Sequence, residues 1–370
     1  MKSILVIFCC LGISPLFSQH SHSHGRAISF PDVSDYRTLS CDFHQHTVFS
    51  DGSVWPNIRV QEAIKDGLDA ISLTEHLEYQ PYSSDIPHPD RNRSFQIAEK
   101  EAENQDLLII HGSEITRSMP PGHANALFIQ DANKLLEDDV RLVFEEAHRQ
   151  GAFVFWNHPN WTAQAKDGIA RLSEMHQQLI KDDLLHGIEV VNDLTYSDEA
   201  LQLALDHDLT IMGTSDIHGL VDWQYKIPEG GHRPITLVFA KEKTAASIKE
   251  ALIAGRTVAY FHDLLVGREA HLLPLLQASI SVASASYQGE SSVCTVEIEN
   301  HSDAPMTLQN LSSYTLHAHA DVIQIDPHHT TSIGVKTLTR LDSFSLSFEV
   351  LNAIKAPQSH PVLELKVSLR

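Results

Sequence analysis

Short apolar runs alternate with amphipathic segments of helical period between Leu39 and about Val258. This alternation is typical of βα units, in which a buried strand is followed by a helix that covers one face of the sheet. The pattern predicts strands at 39–43, 68–73, 107–111, 123–129, 152–156, 187–191, 209–213 and 234–239. It predicts helices at 56–66, 94–104, 138–150, 168–180, 197–207 and 245–254. About seven such units favour an α/β barrel over an open sheet.

The pattern changes past about Ala270, where Val, Ser, Thr and Leu alternate with polar residues and turns, and the helical period fades. We therefore expect a small all-β sandwich from Leu275 to Arg370. At 370 residues the chain is long enough for a barrel and a smaller domain. The predicted divisions are a signal peptide at 1–18, an N-terminal segment at 19–38, a barrel at 39–268 and a β-rich C-terminal domain at 269–370.

The N-terminus has the composition of a secretory signal peptide. Lys2 precedes an apolar run from Ser3 to Phe17, and Ser18 is a small residue at a plausible cleavage point. The expected location is therefore periplasmic or secreted. The alternative is a lipoprotein, because Cys9 and Cys10 lie inside the apolar run, but a large aromatic residue precedes them where a small one is expected.

Composition narrows the partners of the mature chain. The formal net charge is −21, and no basic patch offsets it, which argues against nucleic acid as a partner. No later segment is apolar over a sufficient length to span a bilayer. After cleavage, Cys41 and Cys294 are the remaining cysteines and lie in different predicted domains, so a disulfide-built fold is not expected.

Metal ligands are predicted directly after the first strand. His44 and His46 are two residues apart, so in an extended chain both imidazoles point to the same face and can share one ion. Asp51 lies in the turn Ser50-Asp51-Gly52, from which its carboxylate could return beside them.

Later stretches place further His, Glu and Asp residues where strands are predicted to end, at the rim on which α/β barrels build active sites. Nine such side chains exceed what one ion needs and suit two or three Zn, Mn or Fe ions. The nine are His44, His46, Asp51, His76, Glu114, His123, His158, Asp216 and His218.

Charge arithmetic predicts phosphoryl chemistry for such a cluster. Three divalent ions carry about six positive charges, and Asp51, Glu114 and Asp216 supply three negative ones, which leaves roughly three positive charges. A bridging hydroxide and a small phosphate ester would neutralise most of that excess. We expect the ions to generate the hydroxide and to bind the phosphoryl oxygens, so no protein nucleophile is required.

Two arginines are candidates for binding the substrate phosphate. Arg117 follows Glu114 closely, and Arg233 precedes a strand predicted at the same rim. Arginine offers a planar fork for phosphate oxygens, with a structural salt bridge as the alternative role for each. Trp161 could shape the pocket or simply pack.

These motifs, in their order along the chain, resemble those of the polymerase and histidinol phosphatase (PHP) superfamily. The resemblance implies a distorted (βα)7 barrel with a cluster of three metal ions. It assigns one ion to His44, His46, Glu114 and Asp216, a second to Glu114, His123 and His158, and a third to Asp51, His76 and His218. Glu114 would bridge the first two ions.

Three further stretches are similar to the exported Sb-PDE family of phosphodiesterases, which also has a β-rich C-terminal domain. They are Gly112–His123, Arg233–Ala240 and Gly255–Tyr260. This resemblance implies hydrolysis of small phosphodiesters. The residues that we predict to act in catalysis are Asp216, Glu114, Arg117 and Arg233.

Three other readings stay open at this point. A metal-dependent amidohydrolase also begins with His-x-His after the first strand, but usually has a bridging lysine where Glu114 stands here. A phosphomonoesterase of the PHP superfamily would use the same cluster. A non-catalytic exported metal-binding protein would bind metal without turnover.

Overall fold

The structure is a computed structural model that describes residues 27–86 and 88–369. The predicted signal peptide at 1–18 lies outside the described residues, as does the first part of the segment at 19–38. Within the described ranges, no helix combines the length and the apolar character needed to cross a membrane.

Among the described residues, twelve strands of the first domain form its sheets. They are β1 (Arg37–Asp42), β2 (Ala70–Ile71), β3 (Leu108–Ile109), β4 (Gly112–Ile115), β5 (Ala124–Leu127), β6 (Phe153–Trp156), β7 (Gly187–Asn192), β8 (Thr195–Tyr196), β9 (Thr210–Thr214), β10 (Ile235–Ala240), β11 (Thr257–Phe261) and β12 (Leu264–Gly267).

Helices pack on the outside of these strands. They are α1 (Pro56–Lys65), α2 (Arg93–Glu101), α3 (Val140–Arg149), α4 (Glu174–Lys181), α5 (Asp198–Asp206), α6 (Val221–Gln224), α7 (Ala245–Ile253) and α8 (Glu269–Ser279). The fourth helix begins at Glu174, not at Gly168 as predicted, because Ser173 caps it in a capping box with His176.

The first-domain strands lie in two sheets that meet along two seams. One sheet has the order β12-β11-β10-β1-β2-β3, and the other has the order β4-β5-β6-β7-β8 with β9 also paired to β7. At the first seam Glu114 N–H donates to Glu75 O over 3.0 Å, and Leu77 N–H donates to Glu114 O over 2.8 Å. At the second seam the Thr236 hydroxyl donates to Gly213 O over 2.7 Å and accepts from Gly213 N–H over 3.0 Å. The expected α/β barrel is confirmed as a distorted barrel.

The barrel departs from a uniformly parallel (βα)7 arrangement at several strands, β5 and β10 among them. β5 runs antiparallel to both β4 and β6, and β10 runs antiparallel to β1. Because β5 is reversed, its beginning lies at the same rim as the ends of its parallel neighbours. His123, which directly precedes β5, therefore reaches the site from the start of its strand.

Nine strands in the part of the chain that the structure describes form the C-terminal domain or extend from it. They are β13 (Ile280–Tyr287), β14 (Val293–Asn300), β15 (Met306–Asn310), β16 (Thr315–His317), β17 (Val322–Ile325), β18 (Thr330–Lys336), β19 (Ser343–Val350), β20 (Ala353–Ile354) and β21 (Val362–Ser368). The sheets β13-β14-β18-β16 and β17-β15-β19-β21 make the expected sandwich. Alternate residues of β19 and β21 are buried, as expected for strands with one solvent-facing side.

The two domains share a hydrophobic core and a sheet edge. One cluster of buried side chains includes Ile71 and Leu237 of the barrel, Leu272 of α8, and Val296 and Leu346 of the sandwich. β20 leaves the sandwich and pairs in parallel with β12 of the barrel. The sandwich is therefore attached to the barrel through both backbone and side chains.

Candidate metal centre

The nine predicted ligands converge at one end of the barrel. Their centre is the pair His44 and His46, whose Nε2 atoms lie 3.1 Å apart. Asp216 Oδ1 is 3.1 Å from His44 Nε2 and 3.0 Å from His46 Nε2. Both histidines are fully buried, so these three side chains face one another with little access to water.

Backbone pairing beyond the ends of β1 and β9 brings these side chains together. Asp216 N–H donates to His44 O over 2.8 Å, and His46 N–H donates to Ile217 O over 3.0 Å. The two chain segments thus continue side by side past the barrel strands. Asp216 has a φ of 49°, in the left-handed region, which turns the chain at the ligand position.

Glu114 lies between several imidazoles. Its Oε1 is 3.1 Å from His123 Nδ1 and 3.5 Å from both His44 Nε2 and His158 Nε2, while its Oε2 contacts His76 Nδ1. Burial alone would raise the pKa of Glu114, but the facing His76 and His44 hold it well below its usual range. The carboxylate is therefore ionised and faces four imidazoles.

Asp51 is the centre of an outer group. Its Oδ1 is 3.1 Å from His218 Nε2 and 3.7 Å from His46 Nδ1, and its Oδ2 is 3.4 Å from His76 Nε2. Burial lowers the pKa of His76, but Glu114 and Asp51 outweigh it and raise that pKa to about 10. For His46, burial and the neighbouring His218 and His76 lower the pKa to about 3.

The donor atoms have the properties expected of metal ligands. His158 Nδ1 is buried without a hydrogen bond to any described residue, and Asp51 Oδ1, Glu114 Oε2 and Asp216 Oδ1 are buried with imidazole nitrogens as their close polar neighbours. Buried polar atoms are rarely left unpaired unless an ion or a water molecule accounts for them. Imidazole nitrogens and carboxylate oxygens are also the donors that Zn, Mn and Fe accept. The residues present therefore fit divalent metal ions.

Three sets of donor atoms at this end lie within 4.8 Å of one another and could each hold an ion. The sets are His46, Asp51, His76 and His218, then His44, His46 and Glu114, and finally His76, Glu114 and His123. They overlap with the three groups expected from the PHP resemblance, but Asp216 and His158 belong to none of the sets, and His46 and His76 each belong to two.

A fourth set, His148, Asp183 and His186, lies away from the centre. His186 Nδ1 accepts a hydrogen bond from Val154 N–H over 2.9 Å. In a neutral ring Nε2 then carries the proton, so this nitrogen is a poor ligand.

Glu189 supports the centre and was not predicted from the sequence. It is 1% exposed, and its Oε1 accepts from His44 Nδ1–H over 2.7 Å and from the Thr214 hydroxyl over 2.6 Å. Its Oε2 accepts from His158 N–H over 2.6 Å and from Asn192 Nδ2 over 2.9 Å. The carboxylate thereby directs the lone pair of His44 Nε2 towards the other ligands. A charged residue inside the apolar strand Gly187–Asn192 was the signal that could have identified it.

Glu75 supports the opposite side in a similar way. It is buried and accepts hydrogen bonds from the Ser50 and Thr47 hydroxyls, each over 2.5 Å. Ser50 Oγ also lies 3.2 Å from His46 Nδ1. Burial raises the pKa of Glu75, and these hydrogen bonds oppose the rise. The carboxylate therefore reaches His46 through Ser50.

The structure corrects the expectation that Arg233 binds substrate phosphate. Its guanidinium is fully buried, with Nη1 3.2 Å from Asp42 Oδ2 and Nη2 2.7 Å from Asp66 Oδ2. Arg233 stands at the expected rim, but its side chain points away from the ligands and into the interior. It neutralises two buried carboxylates.

Arg117 is also held by other contacts. Its Nε lies 2.7 Å from Glu78 Oε1, its Nη1 donates to Asp138 O over 3.1 Å, and its Nη2 donates to Glu137 O. The guanidinium therefore fastens the chain after Glu114 to two neighbouring loops and is not available to a phosphate at the centre.

A cavity of about 480 Å³ opens on the ligand cluster. Six of the nine ligands line it: Asp51, His76, His123, His158, Asp216 and His218. The remaining lining residues are Asn160, Trp161, Thr162, Asn192, Asp193, Thr195 and Gln224. No arginine or lysine is among the described residues of this lining, which leaves its imidazoles and any bound metal ions to neutralise an anion.

Comparison with known proteins identifies one matching family model and several solved structures. Residues 280–366 match the family model DUF5001, an Ig-like domain. None of the curated proteins compared matches the chain. Two distant structures, a lesion-specific endonuclease of Pyrococcus furiosus and an amidohydrolase of Chromobacterium violaceum with bound sulfate and no metal, share 14% and 16% identity at TM-scores of 0.41 and 0.35. The first alignment covers 67% of this chain and 62% of the endonuclease, and the second covers 48% and 87%. Likenesses at this level carry no weight for function.

A solved structure from Bacteroides vulgatus is much more similar. It is described as a two-domain protein containing a predicted PHP-like metal-dependent phosphoesterase. The two chains share 43% identity at a TM-score of 0.86, and the alignment covers 93% of this chain and 98% of that one. Identity of this extent over both domains shows common family membership, and the chain belongs to the family of two-domain PHP-like metal-dependent phosphoesterases.

Proposed function

We propose that this protein is a phosphodiesterase that hydrolyses small phosphodiesters with the help of three divalent ions. The observation behind the proposal is the convergence of six imidazoles and three carboxylates at one end of the barrel, where six of the nine side chains line one cavity and the buried His158 Nδ1 lacks a hydrogen bond within the described residues. Few structural roles account for so many ionisable groups in one buried cluster.

Side chains of this chain would hold the ions as the PHP resemblance implies, with Glu114 between two of them. Mn, Zn or Fe ions bound there would activate water and withdraw charge from the phosphoryl oxygens. Asp216 and Glu114 contribute negative charge at the centre. Glu189 and Glu75 hold His44 and His46 in position and limit their rotation.

The lining of the cavity supports a diester over a monoester. Besides the ligands it includes Asn160, Trp161 and Thr162 from one part of the chain and Asp193, Thr195 and Gln224 from others. A phosphodiester carries two alcohol groups and would contact both parts of this lining, whereas a monoester needs one. The resemblance to the Sb-PDE family points the same way.

Export remains part of the proposal because of the apolar run from Ser3 to Phe17. Cell fractionation with an antibody against the protein tests it. Recovery in the periplasmic or extracellular fraction, with a mature N-terminus near Gln19, is expected. Recovery of the full-length chain in the cytosol would contradict export.

Turnover of two chromogenic esters tests the activity. Protein reconstituted with Mn²⁺, Zn²⁺ or Fe²⁺ should hydrolyse bis(4-nitrophenyl) phosphate with a kcat/KM about tenfold or more above that for 4-nitrophenyl phosphate. The Asp216→Asn variant should lose the activity, because it removes a charge between His44 and His46. Preference for the monoester would favour the phosphomonoesterase, and bound metal without turnover would favour a metal-binding protein.

A further inference from the structure

Trp161 stands at the edge of the metal centre with nearly half of its surface free. Its ring centroid is 5.1 Å from that of His158 and 5.7 Å from that of His123, and the residue is 46% exposed. Trp161 N–H donates to His158 O, and Gln164 N–H donates to Trp161 O, each over 2.9 Å. The backbone at Trp161 is thus held by hydrogen bonds, and the indole lies beside two ligands while part of it borders the cavity.

Another part of the lining presents hydrogen-bond acceptors. The Asn192 amide nitrogen is committed to Glu189 Oε2 over 2.9 Å and to Asp216 Oδ2 over 3.3 Å, which leaves its carbonyl oxygen for a donor. Asp193 Oδ1 accepts from Gln224 Nε2 over 2.5 Å and from the Tyr225 hydroxyl over 3.1 Å. Asp193 Oδ2 makes no hydrogen bond to a described residue.

These acceptors favour a substrate group that donates hydrogen bonds. A carbonyl oxygen and a carboxylate accept from hydroxyls and repel phosphate or carboxylate oxygens. The cavity lining also contains no described arginine or lysine, so a second anionic group beyond the metal ions would face Asp193 without a counter-charge. The cavity therefore disfavours polyphosphates and acidic alcohols.

An aromatic face and an acceptor-rich wall together select a neutral ring that carries hydroxyl groups. The flat apolar face of such a ring can pack on an indole, and its hydroxyls can donate to neighbouring oxygens. The volume of about 480 Å³ is within the range of sites that hold one small organic ligand.

We propose that one alcohol group of the substrate is a neutral sugar ring, which packs against Trp161 and donates hydroxyl hydrogen bonds to Asp193 and Asn192. Trp161 is then the specificity-determining residue of the site. The inference rests on the proposed function, since the phosphoryl group has to be held by the nine ligands. The ring could belong to a glycosyl phosphate or to the ribose of a nucleoside phosphate, because the two present the same chemistry to these residues.

Equilibrium binding of non-hydrolysable ligands tests the inference without depending on turnover. Calorimetry on the full metal-loaded chain would compare methylphosphonate with the methylenephosphonate analogues of glucose 1-phosphate and of uridine 5′-phosphate. At least one sugar analogue should bind tenfold or more tightly than methylphosphonate. Whichever analogue shows this advantage identifies the source of the ring.

Variants assign the preference to Trp161. In Trp161→Ala the ratio of the Kd values for methylphosphonate and the sugar analogue should fall to about two or less, whereas Trp161→Phe should retain most of it because an aromatic face remains. Asp193→Asn should reduce the ratio in part. Trp223→Ala is the matched control, since Trp223 is 79% exposed and does not line the cavity, and it should keep the wild-type ratio. Metal content is measured for every variant.

Equal affinity of the wild type for all three ligands would overturn the inference, as would a preference that survives in Trp161→Ala. Absence of binding by both sugar analogues would overturn it too. Turnover of the chromogenic diester tests the phosphodiesterase activity separately. If the protein hydrolyses that diester but shows no preference for a sugar analogue, only the inference about the sugar ring is rejected.

Discussion

Glu189 shows how one buried carboxylate orders several parts of the metal centre. It holds His44 through Nδ1, the chain at His158 through its N–H, and Asn192 through its amide. Asn192 in turn reaches Asp216. Removing the charge should therefore affect metal binding more than the fold.

We predict that Glu189→Gln weakens metal binding by about 10- to 100-fold. One acceptor oxygen becomes an amide nitrogen, which either loses the His44 Nδ1–H hydrogen bond or opposes the donors from His158 and Asn192. Chelator competition with metal analysis measures the loss. Glu103→Gln, at an exposed position, is the control and should bind metal as the wild type does. Unchanged affinity in Glu189→Gln would contradict the positioning role.

His176 is expected to make stability depend on pH. It is 1% exposed, stacks on Trp156 at 4.0 Å, and donates from Nε2–H to Pro121 O over 2.6 Å. Its Nδ1 accepts from Ser173 N–H over 3.1 Å, so the neutral ring satisfies both partners. Burial accordingly lowers the pKa of His176 from 6.5 to about 4, although the hydrogen bond to Pro121 O acts in the opposite direction.

Because the unfolded chain takes up this proton first, His176 should cost stability as pH falls through 6.5, and the loss should be complete near pH 4. The difference between the pKa of His176 in the unfolded chain and in the folded protein corresponds to a loss of roughly 3 kcal/mol in the free energy of unfolding. Denaturant unfolding from pH 7 to pH 4 should show a steeper decline in the wild type than in His176→Gln, which keeps a donor for Pro121 O. Parallel pH profiles would refute the assignment.

The convergence of the nine side chains was predictable from residue type and spacing, but the residues that support them were not. His44-x-His46 and the strand-end residues carry local signals, whereas Glu189 acts on a histidine 145 positions earlier in the chain. Arg233 illustrates the same limit. Its position at the rim was predicted, but the direction of its side chain depends on Asp42 and Asp66, which the sequence alone does not place beside it.

At the scale of secondary structure, the seam between β9 and β10 depends on side chains in place of a backbone ladder. Thr236 of β10 exchanges two hydrogen bonds with Gly213 of β9. On the next strand, the Thr257 hydroxyl of β11 donates to Ile211 O of β9 over 2.7 Å. Gly213 allows the close approach, since a Cβ there would lie 2.7 Å from Ala259 Cβ and 2.9 Å from Ile235 O. Asp216 follows β9 by two residues, and its N–H donates to His44 O.

Thr236→Val should lower the free energy of unfolding by about 2–4 kcal/mol. Valine has a similar shape but leaves the Gly213 N–H and carbonyl without their partner, and each buried unpaired group costs roughly 1–3 kcal/mol. Thr236→Ser keeps the hydroxyl and should lose much less. Chemical denaturation followed by tryptophan fluorescence would measure both variants, and equal losses would indicate that the methyl group, not the hydroxyl, matters.

The hydrophobic pattern predicted most elements of the barrel but not the direction of its strands. β5 and β10 read like their neighbours because periodicity is the same in parallel and antiparallel strands. β2 and β3 are also only two residues long, although both lie in longer apolar runs. Burial selects apolar residues along the whole run, whereas strand pairing extends only as far as the neighbouring backbone stays within reach.

At the scale of the whole molecule, the two domains form a more continuous body than their sequences predict. The sandwich was expected from alternating residues, but the pairing of Ala353–Ile354 with β12 and the core shared through α8 join sequences far apart in the chain. The metal centre lies in the barrel, at the rim formed by the ends of β1, β7 and β9 and the start of β5.

We propose above that the nine side chains at the rim of the barrel bind a cluster of metal ions. Anomalous diffraction from crystals grown with Mn²⁺ or Zn²⁺, recorded on both sides of the absorption edge, tests it most directly. We predict three peaks, one at each of the groups implied by the PHP resemblance, with Glu114 between two of them. Metal binding by the nine side chains would be contradicted if well-ordered, metal-loaded crystals showed no peak among these residues. Peaks found only elsewhere, such as at His148 and Asp183, would also contradict it.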